Sequence, residues 1–101
     1  MNMIIVSGTV RIDPAKLHAA RDIMQSMITA SRKEDGCIEY SYSVDVFDPG
    51  LVRVYEVWRD KDALQAHFKT PHLDTWRAAW PSFGITDRKL QLIEVASTSP
   101  L

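Results

Sequence analysis

Residues 37–47, CIEYSYSVDVF, alternate with a period of two: Ile38, Tyr40, Tyr42, Val44 and Val46 share one parity, and Glu39, Ser41, Ser43 and Asp45 share the other. A helix cannot gather such a pattern on one face, so the segment reads as a strand with one side buried and one side wet. Asp48-Pro49-Gly50 follows directly. Pro fixes its own φ, Gly accepts a positive one, and together they turn the chain back on itself. The next run, LVRVYEVWR at 51–59, is therefore expected to return antiparallel to the first. This hairpin is the centre around which the rest of the chain must be arranged.

Before it, residues 3–12, MIIVSGTVRI, are rich in β-branched side chains and read as a strand. Asp13-Pro14 then starts a helix, Asp13 capping free N–H groups and Pro14 losing no hydrogen bond at the first helical position. Leu17, Ala20, Met24, Met27, Ile28 and Ser31 recur at spacings of three and four, which predicts an amphipathic helix from about 14 to 33, with Gly36 just beyond its end. After the hairpin, Asp60 caps a second helix, DKDALQAHF, which Thr70-Pro71 interrupts and restarts. The restarted piece, 71–80, places His72, Leu73, Trp76 and Trp80 roughly on one side; Pro81 and Gly84 are expected to end it, and 86–96 reads as a last strand. The order β-α-β-β-α-β predicts an α+β fold, a ferredoxin-like split β-α-β sandwich formed by residues 1–101 as a single domain.

Two helices cover only one face of a four-stranded sheet. Yet 51–58 is apolar on both parities, Val52, Val54 and Trp58 against Leu51, Tyr55 and Val57, and the first strand behaves alike. An open apolar face on a chain of net charge −1 predicts a second copy packed sheet to sheet, a homodimer. The near-balance of 12 Lys+Arg and 13 Asp+Glu leaves no basic excess for nucleic acid. No apolar run is long enough to span a membrane, and the N-terminus MNMIIVSGTVRID lacks the pattern of a secretion signal. The single Cys37 forms no intrachain disulfide and suits a reducing compartment. A cytoplasmic protein is expected.

All three Trp (Trp58, Trp76, Trp80) and two of the three His (His67, His72) fall between residues 58 and 80. The segment EVWRDKDALQAHFKTPH (56–72), with Gly36-Cys37 leading into the Tyr40 strand, resembles the antibiotic biosynthesis monooxygenase family of small dimeric α+β barrel proteins. Glu56, Trp58, Asp60, Ala63-Leu64, His67, Pro71 and His72 carry the likeness in order. The best-known members, as the resemblance implies, oxidise phenols, hydroquinones or anthrones with O2 and need neither metal nor flavin. A heme-degrading branch and an isomerase branch acting on a phosphorylated sugar look similar. Function must therefore be argued from the site.

His67 matches a position that faces the family's cleft between sheet and broken helix. An oxygenase without a cofactor must deprotonate its phenol, and an imidazole titrating near neutrality suits that step; the plainer reading is a packed side chain beside Leu64. His72, in the first turn after Pro71, contacts substrate or sits at the rim of the helix junction. Trp58 and Trp76 are candidate walls for a flat ring, or ordinary core, which is the default for Trp76 and Trp80. Glu56 interrupts an apolar face and is a candidate acid or base if burial raises its pKa; a structural hydrogen bond is the alternative. The same choice holds for the hydroxyls of Tyr40 and Tyr42. His18 reads as solvated and Cys37 as buried filler.

Three departures from the resembling branches narrow the chemistry. The heme-ligating His of one branch aligns with Arg77, which cannot bind iron as imidazole does, and that branch's pocket Asn aligns with Ser7. A pocket Asn of the anthrone-oxidising branch falls at Val54. Arg77 matches a cationic pocket position, suited to a phenolate or peroxy anion or to a phosphate. The leading expectation is a monooxygenase with no cofactor and no metal, acting on a phenolic or quinol-like molecule with O2, with His67 as base and Arg77 stabilising the anion. Substrate contacts are expected from Trp58, His72, Trp76, Glu56 and Tyr40. An isomerase of a phosphorylated small molecule and a non-catalytic dimeric module binding an aromatic metabolite are the alternatives.

Overall fold

The computed structural model describes residues 2–101. Its elements run β1 (Ile4–Arg11), a 3-10 turn (Pro14–Lys16), α1 (Leu17–Arg32), β2 (Cys37–Val44), β3 (Leu51–Trp58), α2 (Lys61–His67), α3 (Pro71–Phe83) and β4 (Thr86–Glu94). The strands form one antiparallel sheet in the order β2-β3-β1-β4. This is the ferredoxin-like α+β arrangement that the sequence predicts. Among the described residues no helix is long and apolar enough to cross a membrane.

The helices cover one face. Ile4, Val6 and Val10 of β1, and Val52, Val54 and Trp58 of β3, are buried beneath them with Ala20 and Met27 of α1, Leu64 of α2 and Leu73 and Trp76 of α3. The opposite face brings Ile5 together with Val57 and Ile93, and Ser7 with Tyr55 and Gln91. Tyr55 and Ile93 remain exposed there. At the middle of β1, Gly8 lets the backbones close up: a Cβ there would stand 1.9 Å from the carbonyl oxygen of Lys89.

The observed elements depart from the expected ones at their ends. The first helix opens as a 3-10 turn, with Asp13 accepting from the Ala15 N–H at 3.0 Å, and becomes α-helical only at Leu17. The alternating strand is shorter than its pattern. It ends at Val44, leaving Val46 and Phe47 91% and 94% exposed. Asp45 and Asp48 end the pairing by drawing the loop onto their side chains, Asp45 accepting from Phe47 N–H and Asp48 from Gly50 N–H. At the other end Cys37 opposes Trp58 while Glu39 opposes Val57, so Ile38 is the extra residue of a bulge and points to solvent. Pro81 does not end α3. It lies in the last turn, where a missing N–H costs a single bond, and the helix stops at Gly84, left-handed at φ 63°, with Ile85 N–H bonded to the Trp80 carbonyl. The last strand closes at Glu94 rather than 96.

Candidate functional site

α2 turns Ala63, Leu64 and His67 inward, the i, i+1, i+4 set of one helical face. His67 is the last residue of that helix and is 1% exposed. Its ring lies 4.7 Å from the Trp58 ring and 5.3 Å from that of Tyr40, centroid to centroid. The chain then turns through 68–70, where the Thr70 hydroxyl donates to the His67 carbonyl at 2.8 Å, and Pro71 starts α3 at its first helical position. His72 follows, so the helix break sets two imidazoles side by side, 6.2 Å apart.

Between them stands Glu34, from the loop joining α1 to β2. Its Oε2 lies 2.7 Å from Nδ1 of His67 and 2.8 Å from Nε2 of His72. A carboxylate oxygen only accepts, so both nitrogens are donors. Burial lowers the pKa of His67 despite the carboxylate, which favours the neutral ring. With its proton on Nδ1, that ring keeps a lone pair on Nε2, and this nitrogen faces the Tyr40 hydroxyl at 3.4 Å. The same three side chains have the composition of a metal-binding group, their ligand atoms all lying within 4.8 Å of one another.

His67 and Tyr40 both border a small cavity of about 30 Å³ between the sheet and α3. Tyr40, Tyr42 and Glu56 form the sheet wall, Leu73 and Trp80 the helix wall, and the exposed side chains of Phe68, Arg77 and Arg88 surround its mouth. The guanidinium of Arg77 lies over the Phe68 ring at 5.7 Å. Glu56 is 5% exposed and accepts the indole N–H of Trp58 at 2.9 Å. Burial pushes its carboxyl from 4.5 up to about 7, with the Trp58 bond and the charges of Arg88 and Arg77 pulling the other way. Burial likewise raises the phenols of Tyr40 and Tyr42, so both remain hydroxyls. The indole N–H of Trp80 is buried with no hydrogen-bond partner among the described residues.

Of the residues singled out in the sequence, Tyr40, Tyr42, Glu56, His67 and Arg77 meet at this cavity. Trp58 and Trp76 do not line it. Trp58 lies behind Glu56 as its hydrogen-bond donor, and Trp76 packs edge-on against Tyr42 and parallel to Phe83, 6.2 and 6.5 Å between centroids. The aromatic wall comes instead from Trp80 and Tyr42. His72 is also absent from the lining and reaches the site only through Glu34. Cys37 is half-buried, and burial raises its thiol to about 11.

Glu34, Phe68 and Arg88 are residues that sequence reasoning missed. Glu34 carries no periodic signal in a charged loop. Arg88 shares a parity with Leu90 and Leu92, so it could have been found as the charge interrupting an apolar face, as Glu56 was.

The family model for antibiotic biosynthesis monooxygenases matches residues 3–79. An uncharacterised protein of Synechocystis is 31% identical over 98 residues, 97% of this chain and 67% of its own length. A Mycobacterium tuberculosis protein provisionally named a monooxygenase is 35% identical over 65 residues, 64% of this chain and 63% of its own length. The crystal structure of a Deinococcus radiodurans protein, provisionally named an antibiotic biosynthesis monooxygenase, superposes with a TM-score of 0.88 at 26% identity, covering 97% of each chain. Element order, sheet topology and a family match over more than three quarters of the residues agree: the chain belongs to the antibiotic biosynthesis monooxygenase family.

Proposed function

We propose that this protein is a cofactor-independent monooxygenase oxidising a phenolic or quinol-like small molecule with O2. The observation that carries the reading is the orientation of His67. Glu34 takes the proton-bearing Nδ1, which leaves the basic Nε2 on the side of Tyr40, itself a wall of the cavity. This is the arrangement by which a buried acid fixes the tautomer of a catalytic imidazole. In the reaction, Nε2 of His67 removes the phenolic proton. The phenolate passes one electron to O2, and the phenoxyl radical and superoxide combine to form a C–O bond. Loss of water from the resulting peroxide leaves one oxygen atom in the product as a quinone carbonyl. Arg77, Arg88 and the free Trp80 N–H stabilise the negative charge that moves from phenolate to peroxide.

The cavity of about 30 Å³ holds about two waters, whereas one benzene ring needs on the order of 150 Å³. A substrate therefore enters by displacing the exposed side chains at the mouth, Phe68, Arg77 and Arg88. Two arginines there also favour a second reading, an isomerase of a phosphorylated small molecule, which would need no O2 and would be inhibited by inorganic phosphate. Pairing of two chains through the uncovered sheet face belongs to the same proposal.

Oxygen consumption with a panel of hydroquinones is the direct test. A rate above buffer background is expected, falling about 10²–10⁴-fold in His67→Gln, the usual contribution of a positioned base. No rate above background across the panel, or an undiminished rate in the variant, would reject the oxygenase assignment.

A further inference from the structure

We infer that Glu34, His67 and His72 form a binding site for one divalent transition-metal ion of the zinc class, on the side of His67 that faces away from the cavity. The three residues come from separate elements, the α1–β2 loop, the end of α2 and the start of α3, and they meet at one point. Nδ1 of His67 and Nε2 of His72 both address the same oxygen of Glu34, at 2.7 and 2.8 Å. A zinc ion bonded to imidazole and carboxylate at about 2.0–2.2 Å holds its donors roughly 3–3.5 Å apart. Loading the site therefore requires Glu34 to withdraw by on the order of 1 Å while the imidazoles turn onto the ion.

Two further features favour a cation at this point. Among the described residues no Lys or Arg bonds the Glu34 carboxylate, whose only side-chain partners are the two imidazoles. The carboxylate side chain is 13% exposed, so its formal charge has little water to screen it, and an ion supplies the missing positive charge. Nitrogen and oxygen donors in a two-to-one ratio suit a borderline divalent ion rather than Mg²⁺ or Ca²⁺, which prefer oxygen alone. An outer partner is also in place: with the metal on Nδ1, the ring proton of His67 moves to Nε2, where the Tyr40 hydroxyl stands 3.4 Å away as acceptor. A surface groove lined by Glu34, Asp35, Asp62 and Thr70 gives solvent a path to the site.

The ion would brace the helix break, tying the start of α3 and the end of α2 to the loop before β2. It would also block the base, because a metal on Nδ1 leaves Nε2 protonated. That last consequence rests on the oxygenase reading, whereas the metal site does not. Isothermal calorimetry with Zn²⁺ and visible absorption with Co²⁺, on chelator-treated full chain, test it. Saturable binding of one ion per chain is expected, with a rise of about 10 °C in Tm at about a hundredfold excess over Kd. Glu34→Gln and His72→Gln should each weaken binding at least tenfold. His72→Gln keeps an N–H to offer Glu34, so folding, checked by circular dichroism, survives the loss of the ligand. His18→Ala, which removes an exposed imidazole on α1, should bind as the wild type does. Absence of saturable binding up to about millimolar Zn²⁺ and Co²⁺, or unchanged affinity in both Gln variants, overturns the site. None of these measurements reads turnover, so failure here leaves the oxygenase reading standing, and failure of the oxygen assay leaves the metal site standing.

Discussion

Replacing Glu56 with Gln should change how stability depends on pH, and the size of the change follows from the burial of its carboxyl. The group titrates at 4.5 when solvated and at about 7 in the fold. Between those values the native state holds a proton that the unfolded chain has released, so stability falls as pH rises through the window. The loss begins near 4.5 and is complete above about 7. A difference of about 2.5 pH units, at about 1.4 kcal/mol each, corresponds to about 3 kcal/mol. Gln at 56 keeps an oxygen for the Trp58 indole N–H and never ionises. The variant should match the wild type near pH 4.5 and exceed it by up to about 3 kcal/mol near pH 8. His67 works in the opposite sense: its lowered pKa makes the neutral ring a stabilising state that is lost as pH falls below about 6.5. That contribution is common to both proteins and cancels in their difference. Urea unfolding followed by Trp fluorescence across the range measures it. A wild-type-minus-variant difference that stays flat with pH would refute the buried, protonated Glu56.

Glu34→Gln should cut the hydroquinone-dependent oxygen uptake by about tenfold or more, because an amide can offer its N–H to His67 and release the tautomer; an unchanged kcat would remove Glu34 from the site. Trp58→Phe strands the Glu56 carboxyl without its donor and should cost about 1–3 kcal/mol in urea unfolding. Trp80→Phe, whose indole N–H has no partner among the described residues, should cost less than Trp58→Phe. Gly8→Ala would drive a methyl group into the Lys89 carbonyl, at 1.9 Å, and the Leu90 Cα, at 2.8 Å; backbone cannot step aside as a side chain can. A loss of at least about 1–3 kcal/mol is expected, and a wild-type melting curve would contradict the close β1–β4 contact. Light scattering at micromolar concentration should give twice the chain mass of 11.5 kDa. A clean monomer mass would reject pairing through the open sheet face.

Most of the fold was legible in the sequence because its signals are local. The alternation around Tyr40 and Tyr42, the Asp-Pro-Gly turn and the Pro71 restart each fix a conformation within a few residues. The errors fall where a distant contact or a competing hydrogen bond overrides the pattern. Val46 fits the alternation perfectly, yet Asp45 and Asp48 capture the backbone and end the pairing. Ile38 fits it too, but the bulge opposite Trp58 rotates it outward. Pro81 looks like a helix stop, and only the left-handed Gly84 shows where the last carbonyls are satisfied.

The candidate site divides along the same line. Glu56 and His67 were visible as polar residues placed where an apolar one belongs, a signal that a period of two or of 3.6 exposes. Glu34 has no such signal, because it lies in a short charged loop, KEDG, where one more carboxylate is unremarkable. What makes it significant is the break between α2 and α3, which brings His67 and His72 round to the same oxygen over separations of 33 and 38 residues. A tautomer is a property of the partner as much as of the ring. The direction in which His67 presents its lone pair was therefore not encoded near His67, and a base nominated from sequence lacked the residue that would make it one.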